Sequence, residues 1–298
     1  MNPEDDCNGT FPFKPHFCTA AGFKQHYIDE GKGEVIVCLH GQPTWGYLFR
    51  KFVPPLSKTH RVIVVDHMGF GRSETPQDRK YTLQSHVENL AALIEDLGLE
   101  DITFVAHDWG GPITGAYTVR YPQRVKRICL LNALMCYGLA PPAKQTKWFK
   151  WVADSYEAGT YEEIMGNLGD TILSVLQIIG IKKFSVVDQT WVHAYAAPFP
   201  NREACLGAIE WPLDEHLNRI TEYIIDGFVG VEELKTKPAM LAIGMDDRAL
   251  DCDRVIADFK SLYPKGPVVE LDGVGHFSPE EAPETLIALI QQFIQMTG

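Results

Sequence analysis

The chain has 298 residues, 45% hydrophobic and 22% charged, a profile that excludes disordered, collagenous and coiled-coil classes and is long enough to bury a large core. Its 27 basic and 39 acidic residues give a net charge of −12 with no block of like charges, which argues against nucleic acid or an anionic membrane as partner. The length fits either two domains or one α/β domain with a sizeable insertion.

In chain order, residues 1–9 are acidic and lack the apolar run of a secretion signal. Short β-branched runs then alternate with helical patterns. Strands are predicted over 35–39, 62–65, 102–105 and 128–131, the mark of right-handed βαβ units around a parallel sheet. Thr82 is a good N-cap for a helix that places Val87, Leu90, Ile94 and Leu97 on one face before Gly98 stops it. A second helix is predicted over 113–120. From about 138 to 213 the period-2 pattern is lost, and the segment carries Pro141, Pro142, the aromatics Trp148, Phe149 and Trp151, and helical patterns over 161–165 and 171–181. It reads as an all-helical insertion. Strands resume only at 239–243 and 268–271, followed by a helix carrying Leu286, Ile287, Leu289, Ile290 and Phe293. The longest apolar stretch, 171–181, is broken by Gln177 and too short to span a bilayer, so a cytoplasmic protein without membrane contact is expected. Seven cysteines, at 7, 18, 38, 129, 136, 205 and 252, form no CxxC pair and no metal-ligand spacing. They are expected to be reduced and mostly buried.

The chemistry-bearing residues sit where predicted strands end. Phe104-Val105-Ala106-His107-Asp108-Trp109-Gly110-Gly111 follows a strand and precedes a helix. It has the form small-x-nucleophile-x-small that a sharp strand-to-helix turn demands, with aspartate in the nucleophile slot. Taken alone, it is equally a turn with an N-cap aspartate. His40-Gly41-Gln42-Pro43 follows the strand 35–39, Gly244-Met245-Asp246-Asp247-Arg248 the strand 239–243, and Gly275-His276-Phe277 the last strand. The order nucleophile, acid, base and the strand-end placements agree for all of them, which favours the catalytic reading. Asp247 is preferred over Asp246, whose side chain should point the other way.

These residues resemble α/β-hydrolases with an aspartate nucleophile, and most closely the haloalkane dehalogenases. The resemblance covers nearly the whole chain. Besides His107-Asp108-Trp109-Gly110-Gly111, it rests on His40-Gly41-Gln42-Pro43-Thr44-Trp45, Asp66-His67-Met68-Gly69-Phe70-Gly71-Arg72-Ser73 and Tyr195-Ala196-Ala197-Pro198-Phe199-Pro200. It implies a mostly parallel sheet flanked by helices, with a helical cap (138–213) inserted after the sixth strand into a core of 1–137 and 214–298.

A carboxylate, ionised at pH 7, displaces a leaving group from sp³ carbon without needing a base. His276 is then free to activate water against the resulting ester on Asp108, with Asp247 holding the imidazole. Backbone N–H groups of Trp109 and Gln42 are the expected oxyanion hole, and the Trp109 indole the expected halide donor. The family supplies a second donor from an asparagine at position 42 or a tryptophan in the cap. Here Gln42 holds the first place and Lys183 and Phe184 the second, with Trp191 further on, leaving the Gln42 side chain as substitute.

The substrate pocket is expected to draw on Trp148, Phe149, Phe184, Phe199 and Phe277, although the cap aromatics, Trp151 among them, can equally form the cap's own small core. Trp45 and Trp211 read as packing residues, and His67, His86 and His193 as loop or surface histidines. No phosphate loop is present, so no nucleotide is implied; the reaction needs water and no metal or other cofactor. Three alternatives stand beside dehalogenation of a small apolar substrate: an epoxide hydrolase using two of Tyr156, Tyr161 and Tyr195 as acids, a β-lactone-acting hydrolase, and a receptor that has kept the fold. The intact Asp-His-Asp set counts against the last.

Overall fold

The computed structural model describes residues 5–139 and 144–298; Pro141 and Pro142 lie outside the described residues. Its strands are β1 His16–Cys18, β2 Gln25–Gly31, β3 Val35–Leu39, β4 Arg61–Val65, β5 Ile102–His107, β6 Val125–Leu131, β7 Ala239–Gly244 and β8 Val268–Leu271. They form one sheet in the order β1-β2-β4-β3-β5-β6-β7-β8. The β1 and β2 edge is antiparallel, and β4, β3, β5, β6, β7 and β8 run parallel. Every residue of β5 is buried, as a central parallel strand covered on both faces requires.

All six predicted strands form, whereas β1 and β2 have no counterpart in the sequence reading. Gln25 and His26 start β2 with polar side chains that are nonetheless buried. His26 Nδ1 lies 2.8 Å from Asp66 Oδ2, and Gln25 Nε2 donates to the Asp66 carbonyl at 3.3 Å. Partners 40 residues away make those positions buriable, and no local pattern announces that.

The helix Leu83–Asp96 starts where expected: the Thr82 hydroxyl accepts from the Ser85 N–H, and the buried face is Leu83, Val87, Leu90, Leu93 and Ile94. Each such aliphatic side chain contributes ~1.5–3 kcal/mol by its burial. The helix predicted over 113–120 spans Gly110–Thr118 instead and is buried at every position. The chain from β6 to β7 carries, besides Thr221–Gly227 and Val231–Lys235 next to β7, the helices Lys147–Glu157, Tyr161–Met165, Leu168–Ile179, Gln189–Ala196 and Leu206–His216. Residue 213, the expected end of the insertion, falls inside the last of these. Five of the seven cysteines are buried and all are free thiols. Among the described residues no helix is long and apolar enough to cross a membrane.

Parallel strands bring their C-terminal ends to one edge of the sheet, where ligand sites of open α/β sheets form. The loops that follow β3, β5, β6, β7 and β8 meet there.

Candidate active site

Asp108 sits in the turn from β5 to the helix Gly110–Thr118 with φ +51°, a left-handed conformation that costs a non-glycine residue ~1–3 kcal/mol and persists only where the surroundings enforce it. A Cβ at Gly110 would lie 2.4 Å from the Leu39 carbonyl oxygen, and one at Gly41 only 2.4 Å from the Asp108 Cβ. The loop after β3 is thus pressed against the turn, and backbone alone fits between them. His40 braces that loop: its Nδ1–H donates to the Gly41 carbonyl at 3.0 Å, and its Nε2 accepts from the His67 N–H at 3.1 Å. The backbone N–H groups of Gln42 and Trp109 donate to no described residue.

His276 Nε2 is 2.9 Å from Asp108 Oδ2, and its Nδ1 is 2.8 Å from Asp247 Oδ2. Burial alone would lower the His276 pKa, but the Asp247 charge and hydrogen bonds to both carboxylates outweigh it and raise the value to about 10. The imidazole is therefore a cation between two carboxylates near neutral pH. Burial alone would raise Asp247, yet the His276 charge and hydrogen bonds from His276, Leu250 and Asn132 hold it below the usual carboxylate range. Asp246 points elsewhere, half-exposed and 3.4 Å from Lys182 Nζ.

Three supporting groups went unnoticed in the sequence. Asn132 follows β6 directly, with φ +42°. Its Nδ2 donates to Asp247 Oδ2 at 2.9 Å, its Oδ1 accepts from the Gly244 N–H at 2.9 Å, and its carbonyl accepts from the Asp108 N–H at 3.3 Å. One residue thus links the Asp108 turn and Asp247. The signal was available: a polar residue ending the run Ile128 to Leu131. His107 Nε2–H donates to the His276 carbonyl at 2.9 Å; burial drives its pKa down to about 4, so it is a neutral brace. The carboxylate of Glu281 accepts from the Gly275 N–H at 2.9 Å and the Lys182 N–H at 2.7 Å.

A cavity of about 600 Å³ opens beside Asp108 and is lined by Gln42, Trp109, Trp148 and Phe149 among others. Three expected pocket residues are elsewhere. Phe184 is 53% exposed in the short turn Phe184–Val186, where no neighbouring element covers it. Phe199 is buried edge-on against Phe70, with ring centroids 6.3 Å apart, and Phe277 is buried against His107 and His276. Both are consumed by packing. Gln42 Nε2 donates to the Ala208 carbonyl at 2.8 Å, and its Oε1 is buried without a partner among the described residues. The Trp109 ring stacks on Trp211 at 5.4 Å.

The histidines at 67 and 86 are not surface residues. Both are 1% exposed and pack edge-on against the buried Trp211, which needs a flat, polarisable neighbour that neutral imidazole supplies; burial lowers both pKa values. His193 is exposed, as expected. None of the three tyrosines considered as epoxide acids lines the cavity. Tyr161 donates to the Ile209 carbonyl, Tyr195 to Glu280, and Tyr156 lies at the surface beside His216.

The family model described as alpha/beta hydrolase fold matches residues 34–283. The chain is 31% identical over 292 residues to a cis-3-alkyl-4-alkyloxetan-2-one decarboxylase of Shewanella oneidensis, covering 96% of this chain and 90% of that one. It is 28% identical over 291 residues to haloalkane dehalogenase 2 of Mycobacterium tuberculosis, 94% of each chain. Among solved structures, haloalkane dehalogenase DpaA from Paraglaciecola agarilytica superposes with a TM-score of 0.78 at 28% identity, covering 94% of this chain and 92% of that one. With its match to the family model, its eight-stranded sheet and its relatives, the chain belongs to the alpha/beta hydrolase fold family.

Proposed function

We propose that this chain hydrolyses an apolar alkyl electrophile, a haloalkane, to alcohol and halide through an ester on Asp108. The observation that carries the reading is the line Asp108, His276, Asp247, with hydrogen bonds of 2.9 and 2.8 Å, opening onto a cavity that Trp109 and Gln42 also line. In the first step an Asp108 oxygen attacks the carbon and expels halide, which the Trp109 indole N–H and the second Gln42 amide hydrogen stabilise as its charge develops. In the second, His276 takes a proton from water, whose oxygen attacks the ester carbonyl. The oxyanion is met by the backbone N–H groups of Gln42 and Trp109, worth ~3 kcal/mol per donor in other hydrolases. Overall, R–X and water give R–OH, halide and a proton.

Esterification also converts the histidine from acid to base. It removes the Asp108 charge and the hydrogen bond that help raise the His276 pKa, so the imidazolium releases its proton once its neighbour is neutral. Residues 138–213 serve as the cap that excludes water from the first step.

A second reading, attack by the same aspartate on a β-lactone, is favoured by the relatives at 31% identity that act on such rings. Bromide and proton release from 1-bromobutane and 1,2-dibromoethane, with Asp108→Ala as control, tests the leading reading. Stoichiometric bromide from wild type alone is expected. No bromide from a panel of haloalkanes, alongside turnover of a cis-dialkyl β-lactone, would overturn it in favour of the second.

A further inference from the structure

The cavity beside Asp108 is not hydrocarbon throughout. Phe149, Ile179, Ile224 and Leu250 give it apolar walls, yet Arg254 enters the same lining from the helix Cys252–Leu262. Arg254 Nε is buried with no hydrogen-bond acceptor, and among the described residues no carboxylate lies within 4 Å of its guanidinium. The other lining cation, Lys144, is paired with Asp253 at 2.7 Å. A partly buried guanidinium without an ion pair is expensive to maintain.

Two acids of the same lining, Glu215 and Asp258, feel the Arg254 charge, yet neither comes within 4 Å of its guanidinium. Glu215, enclosed by the walls but open to the cavity, is pushed up to about 7 by burial, with Arg254 pulling it down and Asp108 pushing it further up. Asp258 spends Oδ1 on the Gly138 N–H at 3.1 Å. Arg254 therefore keeps donors that no described residue takes up, in the cavity that Asp108 also lines.

We propose that Arg254 receives a carboxylate on the substrate: an aliphatic chain with its leaving group against Asp108 and its carboxylate on Arg254. The planar guanidinium matches a carboxylate with two parallel hydrogen bonds. The substrate class is then an ω-halocarboxylate, which with water gives the ω-hydroxycarboxylate, halide and a proton. This inference rests on Asp108 being the nucleophile.

The test compares wild type, Arg254→Gln and Arg254→Lys on 6-bromohexanoate and 1-bromohexane by bromide release, with calorimetric titration of hexanoate into each protein. In Arg254→Gln the ratio of kcat/KM for the acid over the neutral bromide should fall about 10–100-fold, the loss of hydrogen bonds to a charged group. The loss should lie in KM, with Arg254→Lys intermediate and hexanoate binding to wild type but not to Arg254→Gln. An unchanged ratio, or equal hexanoate binding to both proteins, overturns the assignment. If wild type releases no bromide from either substrate, the reading of Asp108 fails, and hexanoate binding alone still decides the role of Arg254.

Discussion

At the scale of single residues, the site depends on groups that never touch substrate. Asn132 gives Asp247 one of the hydrogen bonds that keep it ionised while buried. Asn132→Ala should slow turnover about 10–100-fold, since a hydrogen bond to a charged group is worth ~1.5–3 kcal/mol. The loss should appear in ester hydrolysis, so rapid-quench mixing is expected to show a larger burst of bromide followed by a slower steady state. His276 makes a second prediction. In the free enzyme its proton is held to about pH 10, so kcat/KM, which reports the first step, should be flat around neutrality. In the ester the raising influence of Asp108 is gone, so kcat should fall on the acid side as the base becomes protonated. A kcat/KM with the same acid limb as kcat would contradict the change of role.

At the scale of elements, the insertion and the base-bearing loop are tied together. The His276 N–H donates to the Gly180 carbonyl at 3.0 Å, just after the helix Leu168–Ile179. Glu281 bridges the N–H groups of Gly275 and Lys182. Glu281→Ala leaves two backbone donors without their acceptor, the Gly275 N–H buried and the Lys182 N–H partly so, and should lower unfolding stability by ~1–3 kcal/mol, measurable by urea denaturation. The same substitution should reduce kcat, because the loop that aims His276 loses its anchor. The elements themselves were unevenly legible in the sequence. A strand such as β7 is a continuous apolar run buried throughout and announces itself. By contrast, β2 is built from Gln25, His26, Asp29 and Glu30, whose burial or exposure depends on Asp66 and Arg61 across the sheet.

At the scale of the whole molecule, motif order at strand ends was enough to foresee which residues meet. Asp108, Asp247 and His276 lie 29 and 168 residues apart along the hydrogen-bonded line, and a parallel sheet has one edge where its strands' C-terminal ends collect. The pocket was less legible. Aromatic character says that Phe184, Phe199 and Phe277 prefer apolar surroundings, not which side of a helix or loop they face. The tertiary packing that sends Phe199 to Phe70 and leaves Phe184 exposed is absent from local pattern. Arg254 escaped notice for the same reason, since one arginine on an amphipathic helix looks like a solvated charge until the cavity beside it is known.

The central claim is covalent catalysis at Asp108, and trapping the ester tests it most directly. His276→Phe keeps a planar ring at the position but removes the base, so alkylation proceeds while hydrolysis stops. Incubated with 1-bromobutane, this variant, folded by circular dichroism, should gain the mass of one butyl group. Peptide mapping should locate the group on Asp108, and Asp108→Ala should gain nothing. A folded His276→Phe that stays unmodified while wild type releases bromide from the same substrate would contradict the account.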